Sequence, residues 1–181
     1  MAHPVASVGA TQRASLLGSG VVIFVTVGSM MPFDRLIRGM DEWASENPSV
    51  DIFAQIGRGG YEPNNMRWTR KLSPGAFQEA VQKASVLVAH AGMGSFFVAM
   101  GSRKPIVLMP RFAAKREHTT DHQLHTVEWL RDKPGVYVAM SEDELEGAIA
   151  KARIETSASL QDLARFAPQP FLIKLRQFLQ N

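Results

Sequence analysis

The stretch Val86–Phe97, VLVAHAGMGSFF, decides the fold. An apolar run stops at His90; Gly92 and Gly94 follow within four residues, then Ser95 and a further apolar stretch. A short, continuous apolar run is the pattern of a strand buried on both faces. The glycines let the chain turn sharply into a helix and let a ligand come close to the backbone. A helix beginning near Gly94-Ser95 presents free N–H groups and a positive dipole end, which together favour a phosphate, and the Ser95 hydroxyl adds a donor. The competing reading is structural: any tight strand-to-helix turn favours glycine. The stretch is not a Walker loop, because no Gly-Lys-Ser/Thr follows, and its spacing is not that of GxGxxG.

Working outward, the same unit recurs. VVIFVTVG (Val21–Gly28) is a β-branched run closed by glycine, and DIFAQIG (Asp51–Gly57) is a second strand closed the same way. Between them, Phe33, Leu36, Ile37, Met40 and Trp43 fall at helical spacing with charges interspersed. MRWTRKL is a candidate third strand, and SPGAFQEAVQKA a helix announced by Ser73 and Pro74. GSFFVAMGSR reads as a helix with glycine near its end, KPIVLMPR as a strand, and TTDHQLHTVEWLRDKPG as a helix stopped by Pro134 and Gly135. VYVAM is a strand. SEDELEGAIAKAR is a helix, with Ser141 as N-cap and Glu144 completing a capping box. Apolar strands alternating with helices predict an open, mostly parallel α/β sheet with right-handed crossovers. The expected organisation is a flexible N-terminal tail over 1–19, one α/β domain over 20–155, and C-terminal helices over 156–181. In those helices Phe171, Leu172, Leu175, Phe178 and Leu179 form a stripe that packs on the domain or on a partner.

Composition narrows the function classes. The 181 residues include no cysteine, which excludes a disulfide framework, thiolate zinc sites and cysteine nucleophiles, and suits a reducing cytoplasm. Net charge is +3, with no run of like charges and no basic stripe interleaved with aromatics, so nucleic acid is not an expected partner. No stretch has the roughly 18 consecutive apolar residues of a membrane span. The N-terminal MAHPVASVGATQRASLLGSG lacks a basic region followed by an apolar core, so it is a poor signal peptide.

In an open α/β sheet, ligands bind beyond the carboxyl ends of the strands. The residues to inspect are therefore Gly28-Ser29, Gln55-Ile56-Gly57, His90–Ser95, and Pro110-Arg111 with the loop to Gln123. Arg103 and Lys104 precede a strand and belong to the opposite edge. His90 could bond a phosphate or sugar hydroxyl, act as a base, or simply fix its loop. His118, His122 and His125 suggest a metal, but no HExxH spacing is present, and helix-start chemistry with sugar hydrogen bonding explains the same residues with less. No metal site is expected.

HAGMGS, KPIVLMPR and EHTTDHQ, preceded by IFVTVGSMMPFDRLI and DIFAQIG, together resemble one family: the glycosyltransferase family 28 C-terminal, donor-binding domain of GT-B enzymes. The likeness extends to stand-alone small subunits of two-component enzymes. These include the bacterial exopolysaccharide β-1,4-glucuronosyltransferase type and the soluble subunit of the dolichol-linked UDP-GlcNAc transferase. It implies a three-layer, Rossmann-like parallel sheet forming the C-terminal half of a GT-B fold. It also implies a UDP-dependent hexosyltransferase active with a membrane-associated, acceptor-binding partner subunit that brings a lipid-linked saccharide. Such a subunit would be cytoplasmic and peripheral at the inner membrane face, with a UDP-sugar as donor substrate and no tightly bound cofactor. By the same resemblance His90, Ala91, Gly92, Met93, Gly94 and Ser95 would hold the diphosphate, and Gly28 and Ser29 would line the cleft floor. Gln55 and Gly57 would lie near the nucleotide, and Asp121 and Gln123 would meet the donor sugar, with Arg111 and Glu117 as neighbours. No general base is assigned, His90 being the one candidate catalytic group. Many family members carry a ribose-binding glutamate eight residues after the position of His90, where this chain has Val98. The alternative reading is a non-catalytic module that binds a nucleotide or stabilises a partner.

Overall fold

The computed structural model describes residues 22–154. The expected N-terminal tail and the apolar stripe of Phe171, Leu172, Leu175, Phe178 and Leu179 lie outside the described residues. Six strands form one sheet: β1 (Val22–Thr26), β2 (Asp51–Gln55), β3 (Arg67–Thr69), β4 (Val86–His90), β5 (Ile106–Met109) and β6 (Val136–Val138). Every pairing is parallel, and the order is β3-β2-β1-β4-β5-β6. The expected α/β, three-layer parallel sheet is therefore present.

Strand alternation sorts the layers. Ile23 and Val25 of β1, Val86 and Val88 of β4, and Val107 and Met109 of β5 pack with helices α1 (Asp34–Glu46) and α5 (Leu145–Arg153). Their sequence neighbours Phe24, Leu87, Ala89, Ile106 and Leu108 face the other way, onto α2 (Pro74–Lys83), α3 (Met93–Ser102) and α4 (His122–Leu130). Because both faces are covered, the central strands β1, β4 and β5 read as nearly unbroken apolar runs. Helix α1 buries Leu36, Ile37, Met40, Trp43 and Ala44, one face at helical spacing. Each fully buried side chain of this size stabilises by about 1.5–3 kcal/mol relative to exposure.

Capping follows the sequence at α2 and departs from it before α5. Ser73 Oγ accepts from the Ala76 N–H, and Pro74 begins α2. The capping box before α5 does not form. A 3-10 turn over Glu142–Glu144 intervenes, Ser141 makes no side-chain cap, and the Glu144 carboxylate accepts from the Met140 N–H at 2.8 Å. The extra turn carries Glu144 past Ser141 to the residue before it. At the end of α3 the left-handed residue is Arg103, at φ +53, and not the nearby Gly101. Helix α4 is shorter than its sequence span, running from His122 to Leu130; before it, Asp121 accepts from the Ala113 N–H and the Thr120 N–H donates to His118.

Candidate functional site

The strand order reverses between β1 and β4, and that switch point is where an open parallel sheet leaves a crevice at its carboxyl edge. Gly28 follows β1 there with φ +77, and His90 ends β4 beside it. A Cβ on Gly28 would stand 2.8 Å from His90 Cε1, and one on Gly92 would stand 2.5 Å from His90 Nε2. The imidazole fills the space between the two turns, so neither position has room for a side chain. Burial pushes the His90 pKa down to about 4; the Arg111 charge adds to this, as does His118, while the Thr26 backbone opposes it. His90 is therefore neutral at pH 7. Its Nδ1 is buried without a hydrogen bond of ordinary geometry.

Beyond His90, the Ala91 N–H donates to the Met109 carbonyl and Gly92 caps α3 without a side chain. The first N–H groups of a helix have no intrahelical partner. Those of Met93, Gly94 and Ser95 open the helix here, and nothing lies within 4 Å of a Cβ placed on Gly94. The arrangement suits an anion brought close to backbone amides.

On the β2 side, Gln55 is buried and its Oε1 accepts from Thr26 Oγ1 at 3.0 Å, while that hydroxyl accepts from the Gly28 N–H at 3.2 Å. Gly57 has φ +66 and packs on Val27, and Ser29 is exposed in the loop after β1. On the β5 side the sequence-predicted residues form a network of their own. The N–H groups of Arg111, Phe112 and Ala113, three in succession, donate to Gln123 Oε1, Glu117 Oε2 and Asp121 Oδ1, at 3.0, 3.0 and 2.8 Å. The Arg111 side chain, 3% exposed, donates from Nη2 to the Val27 and Met31 carbonyls at 2.8 and 2.7 Å. It thus ties this network to the loop above Gly28. Gln123 is buried, whereas Asp121 is exposed at the rim.

Two supporting residues escaped the sequence reading: Thr26, the hydroxyl beneath Gly28, and Arg35, which meets Glu117. A cation in the first turn of a helix opposes the dipole, and that was the available signal that Arg35 has a partner. His118 and His122 stack edge-on, ring centroids 4.4 Å apart, with their Nδ1 atoms engaged by Thr120. Among the described residues no third His, Asp or Glu joins them as a metal-ligating group.

The glycosyltransferase family 28 C-terminal domain matches residues 22–165. The chain belongs to that family. Solved structures carry the same fold. A kitacinnamycin glycotransferase aligns with TM-score 0.63 at 21% identity, over 86% of this chain and 41% of that one. Os79 from O. sativa, solved with UDP, aligns with TM-score 0.59 at 12% identity, over 88% and 40%. Acinetobacter baumannii MurG aligns with TM-score 0.56 at 14% identity, over 89% and 51%. This family 28 chain thus spans about half or less of those chains. No curated protein matches it. No described helix is long and apolar enough to cross a membrane.

Proposed function

We propose that the chain is the donor-binding subunit of a two-component glycosyltransferase, transferring a hexose derivative, glucuronate or GlcNAc, from a UDP-sugar to a lipid-linked acceptor in polysaccharide biosynthesis. The observation that carries this reading is the switch point itself. Two turns without side chains are packed around a neutral His90, and the uncapped start of α3 opens beside them, in a family 28 domain.

In this reading the amides of Met93, Gly94 and Ser95 and the α3 dipole take the diphosphate beside the bare backbone of Gly92, and stabilise the charge that grows on UDP as the bond to the sugar breaks. A neutral His90 contributes a hydrogen bond and no charge. The rim carboxylate of Asp121 accepts from sugar hydroxyls. Gln123, being buried, acts by holding the Arg111 N–H and so shaping the loop. The attacking hydroxyl, and the base that deprotonates it, come from an acceptor-binding partner attached to the membrane, which also draws this chain to the inner face. The alternative, a non-catalytic nucleotide-binding or partner-stabilising module, is favoured by one residue. Val98 packs partly buried against the α2–α4 core, where many relatives have a ribose-binding glutamate.

Calorimetric titration of UDP, UDP-GlcNAc and UDP-glucuronate into the chain, alone and with a candidate acceptor subunit, tests this. Binding of one UDP-sugar, and sugar transfer with the partner, is expected. Binding without transfer in the presence of a competent partner would favour the module reading.

A further inference from the structure

Arg35 stands in the first turn of α1, yet its side chain is 9% exposed. Nε donates to Glu117 Oε1 at 2.7 Å and Nη2 to Glu117 Oε2 at 3.0 Å, a bidentate pair. Nη2 also donates to the Pro110 carbonyl at 2.7 Å, at the end of β5, and Nη1 reaches Glu142 at 3.3 Å in the turn before α5. The rings of Phe33 and Phe112 flank the guanidinium at 5.2 and 5.0 Å. One side chain thus joins three elements at the carboxyl edge. Its main partner, Glu117, holds the middle one of the three successive N–H groups that shape the post-β5 loop.

Stability alone does not explain such a group. A largely buried ion pair offsets a heavy desolvation cost, and well-packed apolar residues in its place are often as stable. What the pair supplies is geometry: a planar, two-pronged fix on one carboxylate. We propose that Arg35 is a positioning residue for the sugar end of the donor site. Through Glu117 it holds the 110–121 loop, with Asp121 at its rim, in register beside the start of α3. This rests on the donor-binding reading.

The test uses Arg35→Met and the conservative Arg35→Lys, with two readouts. The first needs no ligand: amide hydrogen exchange in the free chain. In Arg35→Met, exchange at Phe112 and Ala113 should accelerate at least tenfold, while Phe24, Val25, Leu87 and Val88 in the central strands keep their rates. Arg35→Lys, which keeps the charge and loses the fork, should fall between. The second compares ligands. Affinity for UDP should stay within twofold of the unaltered chain. Affinity for whichever of UDP-GlcNAc or UDP-glucuronate it binds should fall at least tenfold. Unchanged exchange at Phe112 and Ala113 would overturn the proposal, and so would equal losses for UDP and UDP-sugar, the mark of a general structural role. If Arg35→Met does not fold, Arg35→Lys decides on the same two readouts at a threefold threshold. If the unaltered chain binds no UDP-sugar, alone or with an acceptor subunit, the donor reading fails by itself, and the exchange data still decide whether Arg35 holds the loop.

Discussion

Gly28 and Arg103 are both left-handed, at φ +77 and +53, and they sit at opposite edges of the same sheet. Gly28 lies at the carboxyl edge, where His90 fills the volume a side chain would need. Arg103 lies at the amino edge, as the cap of α3, exposed; its own N–H and that of Lys104 close the helix on Met100 and Ala99. The same backbone conformation is thus imposed for two reasons. At one edge it brings the chain down onto a packed imidazole beside an open helix start. At the other it only ends a helix, and a residue that dislikes the conformation is tolerated there. Glycine is obligatory where the space is in use, not merely where φ is positive.

The largest effect should come from Gly28→Ala. A left-handed alanine costs roughly 1–2 kcal/mol, and forcing a methyl group against His90 adds about 1–3 kcal/mol of overpacking. Urea denaturation should show a loss of about 3 kcal/mol. A loss below about 1 kcal/mol would mean that His90 moves aside easily and that the space is not reserved.

The pH dependence probes the same packing without a change of shape. Unfolded histidine titrates near pH 6.5, and folded His90 near 4. Between those values the unfolded chain holds a proton that the folded chain lacks. The His90 contribution is therefore complete above pH 6.5 and is lost as pH falls toward 4. The loss approaches about 3 kcal/mol if the ring stays buried throughout. Stability measured across this range should fall in the unaltered chain and flatten in His90→Gln. Equal slopes would place the titration elsewhere.

A carboxylate at the α3 start separates binding from folding. Gly94 has open space around it, and an acidic side chain in a first turn favours the helix. Gly94→Glu should therefore melt no lower than the unaltered chain, yet bind UDP roughly tenfold more weakly, about 1.4 kcal/mol. Gly94→Ala, at the same position without charge, should keep its affinity within about threefold. Equal UDP affinity for Gly94→Glu and the unaltered chain would remove the helix start from the proposed diphosphate site.

The backbone-built half of this region was legible in the sequence, and the half built from side chains was not. Apolar strands followed by Gly28, Gly57 and Ala91-Gly92 announce parallel strands and turns without side chains, and Gly28 and Gly57 take the positive φ that glycine permits. The sequence sets Asp121 and Gln123 as a pair, with Arg111 and Glu117 as neighbours. Spacing alone could not tell that Gln123, Glu117 and Asp121 would bind the three successive N–H groups of residues 111–113, or that Arg111 would turn inward under the β1 loop. Such contacts join segments 12 to 84 residues apart, or fold a loop upon itself, and leave no period in the chain. Arg35 is the extreme case, 82 residues from Glu117 and 107 from Glu142. The failed capping box at Ser141 has a local cause instead: with a 3-10 turn over Glu142–Glu144, the Glu144 carboxylate meets the Met140 N–H, four residues back.

The smallest expected effect completes the comparison at the other edge. Arg103→Gly removes a left-handed strain of roughly 1–2 kcal/mol, but the unfolded chain gains conformational freedom worth about 0.4–1 kcal/mol. The two partly cancel, leaving a gain of about 0.5–1 kcal/mol, a rise of a few degrees in Tm at most. The N–H bonds to Met100 and Ala99 involve only backbone and survive the change. UDP-sugar affinity should not move, since Arg103 lies across the sheet from the crevice. A loss of affinity in Arg103→Gly would mean that the cation contributes to the ligand field from the far edge. The two left-handed positions would then differ less in purpose than their surroundings suggest.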